Sequence, residues 1–557
     1  MTEVLNLQAL RAIVGTAGEL YYARGYNLDG DGGGGVFMWR IDETSPIYVP
    51  IFTGTGIYSQ DNDGTIVKTT GNDTGRWVRQ YDGYINILWF GALGFGNDYT
   101  THFQKAIDYA SLNSKLNPLL KSSTIFIPNG SYKISHVILK NGVTILGDSF
   151  DNTIIYALPG GLDNQYIFTM ENGVVNINIS NLNLSGQDTL RGAFYFESKP
   201  QTSTPFHGGL MNSRISNIFI YGFKGHGIYL DGGGFNSNHL LPNQFNIFEN
   251  VRIFNFSDNK NALKIDGQQG QITFLNCEFD GYKTEISEDV FDYKKGKNVH
   301  IQNIRQYISA VISFINCTCQ DSDYGFLIEW AENITIDNCW FENLGVSVMV
   351  KSNHQDPPDN DMPCRSINIL NNRFANAAGF GSLNAPNNVK LGQCVAISNS
   401  FVNVNNNYVA VSDTEGEYLN VQSSFIIASN NEKGGVSAEG NTFQINELGK
   451  TFGIMQLLTP NPPFLDCAGH KLVFVDGSSK PVINILQSSI NAGEYLAIRV
   501  EQGVVTFENT DNIAFRTNSP TFSFSLFNGE IATFVKVDNF VGTNYETYQL
   551  VSIMNIL

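Results

Sequence analysis

Five short, mainly apolar segments of this chain end in a charged side chain. They are Phe194-Tyr-Phe-Glu197, Ile228-Tyr-Leu-Asp231, Leu263-Lys-Ile-Asp266, Phe326-Leu-Ile-Glu329 and Val348-Met-Val-Lys351. Carboxyl groups held in one column raise one another's pKa, so one is expected to stay protonated beside an ionised partner. Such a pair cleaves glycosidic bonds: one carboxyl protonates the leaving oxygen while the other activates water or attacks the sugar carbon. Asp231, Asp266 and Glu329 are the candidate catalytic acids. Glu197, Tyr229, Lys264 and Lys351 lie in the same column or one step before it. Trp330 follows Glu329 and offers an aromatic face to a sugar ring. These five are candidate substrate-binding residues.

The elements that position these residues are repeats. Each segment follows, by 13 to 16 residues, a four-residue unit that opens on Asn: Asn181-Leu-Asn-Leu, Asn217-Ile-Phe-Ile, Asn250-Val-Arg-Ile, Asn316-Cys-Thr-Cys and Asn338-Cys-Trp-Phe. Further units open at Asn276, Asn371 and Asn406, with outlying versions at Gly142 and Gly440. A period of two marks a strand with one buried face. The spacing between units runs from 22 to 40 residues, which helical repeats with a fixed period do not allow. It fits a parallel β-solenoid, whose coils stack their strands and let loops of any length leave at the corners. The Asn amides are expected to pair up the stack.

Cys277, Cys317 and Cys339 fall in one inward column and read as reduced core residues, as in a chain folded in a reducing cytoplasm. The coil opening at Asn276 carries an insertion, about 287–300, that obscures its second strand and leaves Glu288, Asp289 and Asp292 unplaced. Later coils are expected to end the acidic column in Asn384 and Gln422. Asp266 and Glu329, two coils apart, would be separated by about 9–10 Å at the backbone, the spacing of an inverting pair. Asp231 and Asp266 lie closer, as a retaining pair does. The spacing of the column leaves the stereochemistry open. A rival outward face holds Phe219, Arg252, Glu278, Trp340, Arg373 and Tyr408, then Asp280, Gln320 and Glu342. It is read as a subunit contact or a loop-covered surface.

Composition narrows the partners. Among 557 residues, 34 Lys and Arg face 52 Asp and Glu, a net charge of −18, so the chain repels phosphate backbones and nucleic-acid binding is not expected. Charged residues are only 15% and aromatics 12%, a balance suited to sugar-binding surfaces. No apolar run reaches the ~18 residues of a membrane span, and MTEVLNLQALRAIVGTAGEL does not read as a secretory signal. Eight His without HxH or HExxH spacing give no metal motif. No cofactor is expected, although an acidic ladder offers the oxygen ligands Ca²⁺ takes.

Three parts are expected. Residues 1–85 form a small N-terminal module with a glycine run, Gly30 to Gly35, that reads as a flexible turn. Residues 86–450 form the β-helix, opened by a short amphipathic helix over 99–113 whose Phe103, Ala106, Ile107 and Ala110 would plug the solenoid's end. Residues 451–557, where the Asn units stop and short strands continue, read as a C-terminal β-sandwich for trimerisation or glycan binding.

Phe90-Gly-Ala-Leu-Gly-Phe-Gly-Asn97-Asp98, the helix after it, and Ile127-Pro-Asn-Gly-Ser-Tyr132 resemble the opening of the pectate-lyase-like superfamily of right-handed parallel β-helices. Asn97-Asp98-Tyr99-Thr100 departs slightly from that family's Asp-Asp-Thr. The front module, ending in Gly75-Arg-Trp77, and the tail around Phe507 and Asn528–Phe534 resemble bacteriophage tailspikes. The resemblance implies an all-β fold, a right-handed parallel β-helix. It also implies a homotrimer that binds and degrades bacterial surface polysaccharide, carried on the virion tail through its N-terminal module. Gly225-His226-Gly227 is similar to a segment of polygalacturonases, and Asp323 sits where they carry an acid. On that likeness His226 and Asp323 join the substrate-binding set, although the Asn-Thr-Asp and paired Asp-Asp motifs of those enzymes are absent.

The expected activity is a glycoside-hydrolase depolymerase; a non-catalytic receptor-binding spike and a polysaccharide lyase are the alternatives on the same fold. Light scattering should return the mass of three chains, and a monomer mass would refute the assembly expectation.

Overall fold

The computed structural model describes residues 1–41, 61–116, 123–159, 166–198, 208–232, 242–255, 260–302, 311–352 and 364–375, and from 393 onward chiefly the strands, with a few single residues and short gaps inside these ranges left out. The chain divides into two compact units, Met1–Phe256 and Ser257–Leu557.

The first unit opens with a five-stranded sheet in the order Thr2–Val4, Leu20–Ala23, Gly35–Arg40, Asn72–Arg79, Ile66–Thr69. Its core joins Leu7, Leu10, Phe37, Trp39, Val67 and Trp77. The glycine run is not a loose turn. The Asp31 carboxylate accepts backbone N–H bonds from Tyr26, Asn27, Leu28 and Gly33, and Arg79 donates to the carbonyls of Gly33 and Gly64 at 2.7 and 3.0 Å. The Arg79 guanidinium lies 4.5 Å from the Phe37 ring and 4.8 Å from the Trp89 ring. Burial lowers its pKa to about 9, and carbonyl oxygens and π faces supply what water would otherwise give.

The expected helix is present as Thr100–Leu116. Asp98 accepts from the Thr100 N–H at 2.9 Å, and Phe103, Ala106, Ile107 and Ala110 are buried. Coils follow. Thr124–Ile127, Thr144–Gly147, Asn178–Thr189, Arg214–Phe223 and Asn246–Asn255 stack in parallel. The register lines up Ile125, Ile145, Ile179, Ile215 and Phe248 as one buried row. Tyr166–Met170, Gly192–Glu197 and Ile228–Gly232 stack on a second side and bury Phe168, Phe194 and Ile228.

The second unit repeats this architecture. Gln271–Leu275, Val311–Ile315, Glu332–Asp337, Arg365–Leu370 and Phe401–Asn405 align Phe274, Phe314, Ile336, Ile369 and Val404. The Phe274 and Phe314 rings stack at 4.7 Å. On a further side, Asn261–Gly267, Lys297–Gln302, the end of Thr318–Glu329, the end of Trp340–Lys351 and Gln393–Ser398 align Ile265, Ile301, Ile328, Val350 and Ile397. Each such buried aliphatic or aromatic side chain contributes on the order of 2 kcal/mol relative to exposure. Parallel pairing continues past the boundary expected at 451, through Ile454–Leu458, Leu472–Gly477 and Tyr495–Glu508. Tyr495–Glu508 also pairs antiparallel with Ser523–Phe527 and Glu530–Val537.

The Asn that opens each unit sits in the left-handed region: φ is 59° at Asn181, 53° at Asn217, 50° at Asn250, 53° at Asn276, 56° at Asn316 and 54° at Asn338. Asn tolerates this backbone better than other residues with a Cβ. Its amides also ladder: Asn217 Nδ2 donates to Asn181 Oδ1 at 3.1 Å and Asn316 Nδ2 to Asn276 Oδ1 at 2.6 Å. The next, inward column holds Cys277, Cys317 and Cys339, all buried, and then turns into a spine of buried Asn. Asn372 Oδ1 accepts from Cys339 N, Asn407 Oδ1 from Asn372 N, and Asn441 Oδ1 from Asn407 N, at 2.8–2.9 Å. Their Nδ2 groups donate to Ile336, Ile369 and Val404 carbonyls, so these buried amides donate as well as accept.

Asn316→Ala removes two rungs and leaves a Cβ in a left-handed backbone. It should destabilise the chain by about 1–3 kcal/mol, and Asn316→Gly by less. Thermal melts of both variants check the order.

Candidate functional site

Alternation along each second strand sends one set of side chains inward and the other outward. In the second unit, register places Asp266 beside Gln302, Gln302 beside Glu329, and Glu329 beside Lys351. One outward step earlier, Lys264 stands beside His300. The side chains converge. Gln302 Nε2 donates to Asp266 Oδ2 at 2.6 Å, and Lys264 Nζ lies 3.6 Å from the same oxygen. His300 Nε2 lies 2.6 Å from Glu329 Oε2, and Lys351 Nζ 3.0 Å from Glu329 Oε1. Glu329 is 15% exposed and His300 10%.

These contacts decide the charge of Glu329. The His300 hydrogen bond lowers its pKa, burial opposes this, and Lys351 adds to the lowering; the result is about 2. An ionised carboxylate is acceptor-only, so His300 carries its hydrogen on Nε2. The expectation of a carboxyl raised by neighbouring acids therefore fails at Glu329. Its neighbours in the row are an amide and an ammonium, because Gln302 fills the coil between Asp266 and Glu329.

His300 and Gln302 escaped the sequence reading. The lengthened coil contains a hairpin, Lys283–Ser287 against Val290–Tyr293, but His300 belongs to the strand after it, Lys297–Gln302. The signal was present: Val299-His-Ile-Gln302 repeats the alternation of Leu263-Lys-Ile-Asp266. Glu288 and Asp289, like Asn384 and Gln422, lie outside the described residues. The row continues instead through backbone positions Ser398 and Ser429. Asp323 stands at a corner opened by left-handed Asp321, six residues and roughly 20 Å of strand before Glu329, so the structure does not bring it to the cluster.

The first unit holds a second group. Glu197 and Asp231 are register neighbours, as are Tyr195 and Tyr229. Tyr195 Oη donates to Asp231 Oδ2 at 2.8 Å; burial and this anion push the phenol's pKa up. The rings of Tyr166, Tyr195 and Tyr229 follow one another at 5.1 Å, and His226 lies 5.6 Å from Tyr229.

On the rival face, Trp340, Arg373 and Tyr408 are register neighbours. The Arg373 guanidinium is 4.7 Å from the Trp340 ring and 5.2 Å from the Tyr408 ring. Asp280, expected outward, is 3% exposed and accepts from Gln320 at 2.8 Å. Among the described residues no group of three or more His, Cys, Asp or Glu is gathered to hold a metal ion, and no helix is long and apolar enough to cross a membrane.

Residues 84–204 match the family described as rhamnogalacturonase A/epimerase, pectate lyase-like. The fold is a right-handed parallel β-helix.

Among solved structures, this β-helix is similar to a tailspike protein of Acinetobacter baumannii bacteriophage Fri1, described as a capsular polysaccharide depolymerase. The TM-score is 0.50 and the identity 12%, covering 99% of this chain and 92% of that one. Tailspike protein 2 of an Escherichia coli O157:H7 bacteriophage matches at TM-score 0.49 and 14% identity over 99% of this chain and 71% of its own. The A-module of an Azotobacter vinelandii mannuronan C-5 epimerase matches at 0.43 and 15% over 65% of this chain and 97% of its own. No curated protein matches by sequence.

The Glu329 geometry carries a pH consequence. The folded pKa of about 2 lies below the ordinary 4.5. Its contribution is therefore present above about pH 4.5 and is lost as pH falls toward 2. Glu329→Gln should lose up to about 3 kcal/mol at neutral pH and flatten the acid-side fall in melting temperature across that window. An unchanged slope would refute the ionised cluster.

Proposed function

We propose that the chain is a tailspike-type depolymerase that binds a bacterial surface polysaccharide, whether capsule, exopolysaccharide or O-antigen, and hydrolyses its glycosidic bonds. The observation that carries this reading is the outward row Asp266–Gln302–Glu329, in which Glu329 is ionised by His300 and Lys351. In this reading Glu329 activates the attacking water. Asp266, the other acid of the row, protonates the leaving oxygen. Two coil steps separate their backbones by about 10 Å, a spacing compatible with an inverting pair. Lys264, Lys351 and the Gln302 amide contact sugar hydroxyls or carboxylates. In the first unit, Asp231 is a further catalytic acid, with Glu197, His226 and Tyr229 as saccharide contacts beside it.

The assembly belongs to the same proposal: a homotrimer in the virion tail, attached through residues 1–85, with 451–557 as a C-terminal trimerisation or glycan-binding module. The similarity of fold to the Fri1 tailspike supports it. One observation favours lyase chemistry as the second reading. The His300–Glu329 pair, with its hydrogen on Nε2, resembles a base held by its carboxylate, and nearby lysines would neutralise a uronate.

Asp266→Asn and Glu329→Gln should each lower the release of reducing ends by roughly 10²–10⁴-fold while leaving a folded protein that binds polysaccharide. A product absorbing in the ultraviolet would select the lyase reading, and binding without cleavage by the wild type would select a receptor-binding spike. If both variants cleave at the wild-type rate while Glu278→Gln or Glu342→Gln is inactive, the site lies on the other face.

A further inference from the structure

Arg373 is exposed and, among the described residues, has no anion as a partner. It follows the left-handed corner Asn371, in an outward row whose preceding rung is Trp340 and whose following rung is Tyr408. Its guanidinium carbon lies 4.7 Å from the centre of the Trp340 ring and 5.2 Å from that of Tyr408. Those two rings are its contacts among the described residues: none of these residues accepts a hydrogen bond from it, and no carboxylate pairs with it.

The charge around it makes this arrangement informative. The chain carries 52 Asp and Glu against 34 Lys and Arg, so an arginine left without an acid runs against its charge balance. Glu342 is the register partner of Ala375 at the end of the Arg373 strand. Its side chain accepts from Trp340 Nε1 at 3.1 Å, and so fixes the indole rather than neutralising the guanidinium. The two rings in turn restrict a side chain that otherwise samples many rotamers. What they leave is a positioned guanidinium whose N–H donors meet no acceptor among the described residues. A row kept only to stabilise the stack would place an acid on a rung beside the arginine. Aromatic, arginine and aromatic in succession instead leave a donor edge open to a ligand.

We propose that Arg373, held between Trp340 and Tyr408, is a carboxylate-binding subsite for an acidic polysaccharide. A planar carboxylate matches the guanidinium fork through two parallel hydrogen bonds. The flanking rings offer apolar surface to the sugar that bears it. The subsite is separate from the Glu329 row: Lys351 of that row lies at the far end of the strand that Trp340 opens, beyond the left-handed corner Asn343. The face expected to be a subunit contact thereby becomes a second place of saccharide contact. The inference takes polysaccharide as the ligand from the proposed function, but it concerns retention of a charged sugar and needs no bond cleavage.

The experiment compares full-length wild type, Arg373→Gln and Arg373→Lys by affinity electrophoresis. The probes are purified uronate-bearing capsular polysaccharides, each run as isolated and after reduction of its carboxyl groups to alcohols. Arg373→Gln should bind the native polymer that wild type retains roughly tenfold more weakly. Arg373→Lys, which keeps the charge but not the fork, should recover only part of that loss. On the carboxyl-reduced polymer the three proteins should bind alike, because the guanidinium has no carboxylate left to meet. Both variants should melt within a few degrees of wild type, as exposed substitutions do, and light scattering should return the wild-type mass. Equal affinity of wild type and Arg373→Gln for the native polymers overturns the inference. So does an equal loss on native and reduced polymers, or a marked drop in both melting temperatures, which would make the arginine a packing residue. A change of mass overturns it by placing Arg373 in a contact between copies of the chain. Wild type that retains none of the uronate polymers overturns it as well. A carboxyl-dependent loss in a protein that releases no reducing ends refutes the depolymerase reading and supports this one.

Discussion

The left-handed corner is the constraint on which the molecule depends. A solenoid coil must turn between sheets and leave its next strand in register with the coil below. A single residue with positive φ makes that turn, and Asn serves because its short amide tolerates the backbone and pairs with the Asn above or below. Once the corner is fixed, a period of two decides every side chain's face. The inward row Ile265–Ile301–Ile328–Val350 and the outward row Asp266–Gln302–Glu329–Lys351 are two consequences of one register. A slip of one residue would bury four polar side chains and expose four aliphatic ones.

Parallel in-register stacking brings a risk of its own, since equivalent residues lie only about 4.8 Å apart and like charges meet directly. The outward rows show how this is met. In the second unit, acid, amide, acid and ammonium succeed one another, and the Glu329 anion gains His300 and Lys351. In the first unit, where Glu197 and Asp231 do meet, a tyrosine hydroxyl is supplied to Asp231. The electrostatics of the site thus follow from the stacking rule together with the residue each coil contributes.

The same rule explains what could be read in advance. Asn units and alternating segments announced the β-helix, the column of acids and the inward cysteines, because local period and corner chemistry are written in neighbouring residues. His300 was hidden by a hairpin that lengthened its coil, since offset from the opening Asn was the guide and insertions change offset without changing register. Which acid of the column is ionised was not legible for the same reason: the direction at Glu329 is set first by His300, in the coil whose offset the insertion changes. Parallel pairing beyond residue 450 continued without Asn units, so no local mark announced it.

The inward cysteines have a consequence for how the coils open. Cys317, Cys319, Cys339 and Cys364 are buried and free of disulfides; burial raises the thiol pKa of Cys317, Cys319 and Cys364, and the Cys317 sulfur together with burial raises that of Cys339. Only a thiolate attacks an oxidant or an alkylating reagent, so in the closed coil these sulfurs are chemically silent. Cys364 lies on a different side of its coil from Cys339, its sulfur accepting from Ala331 N while Cys339 N is held by Asn372. Each thiol is therefore a separate clock: its rate of modification records how often its own rung of the stack comes apart, coil by coil, in a molecule whose strands otherwise report only as an ensemble.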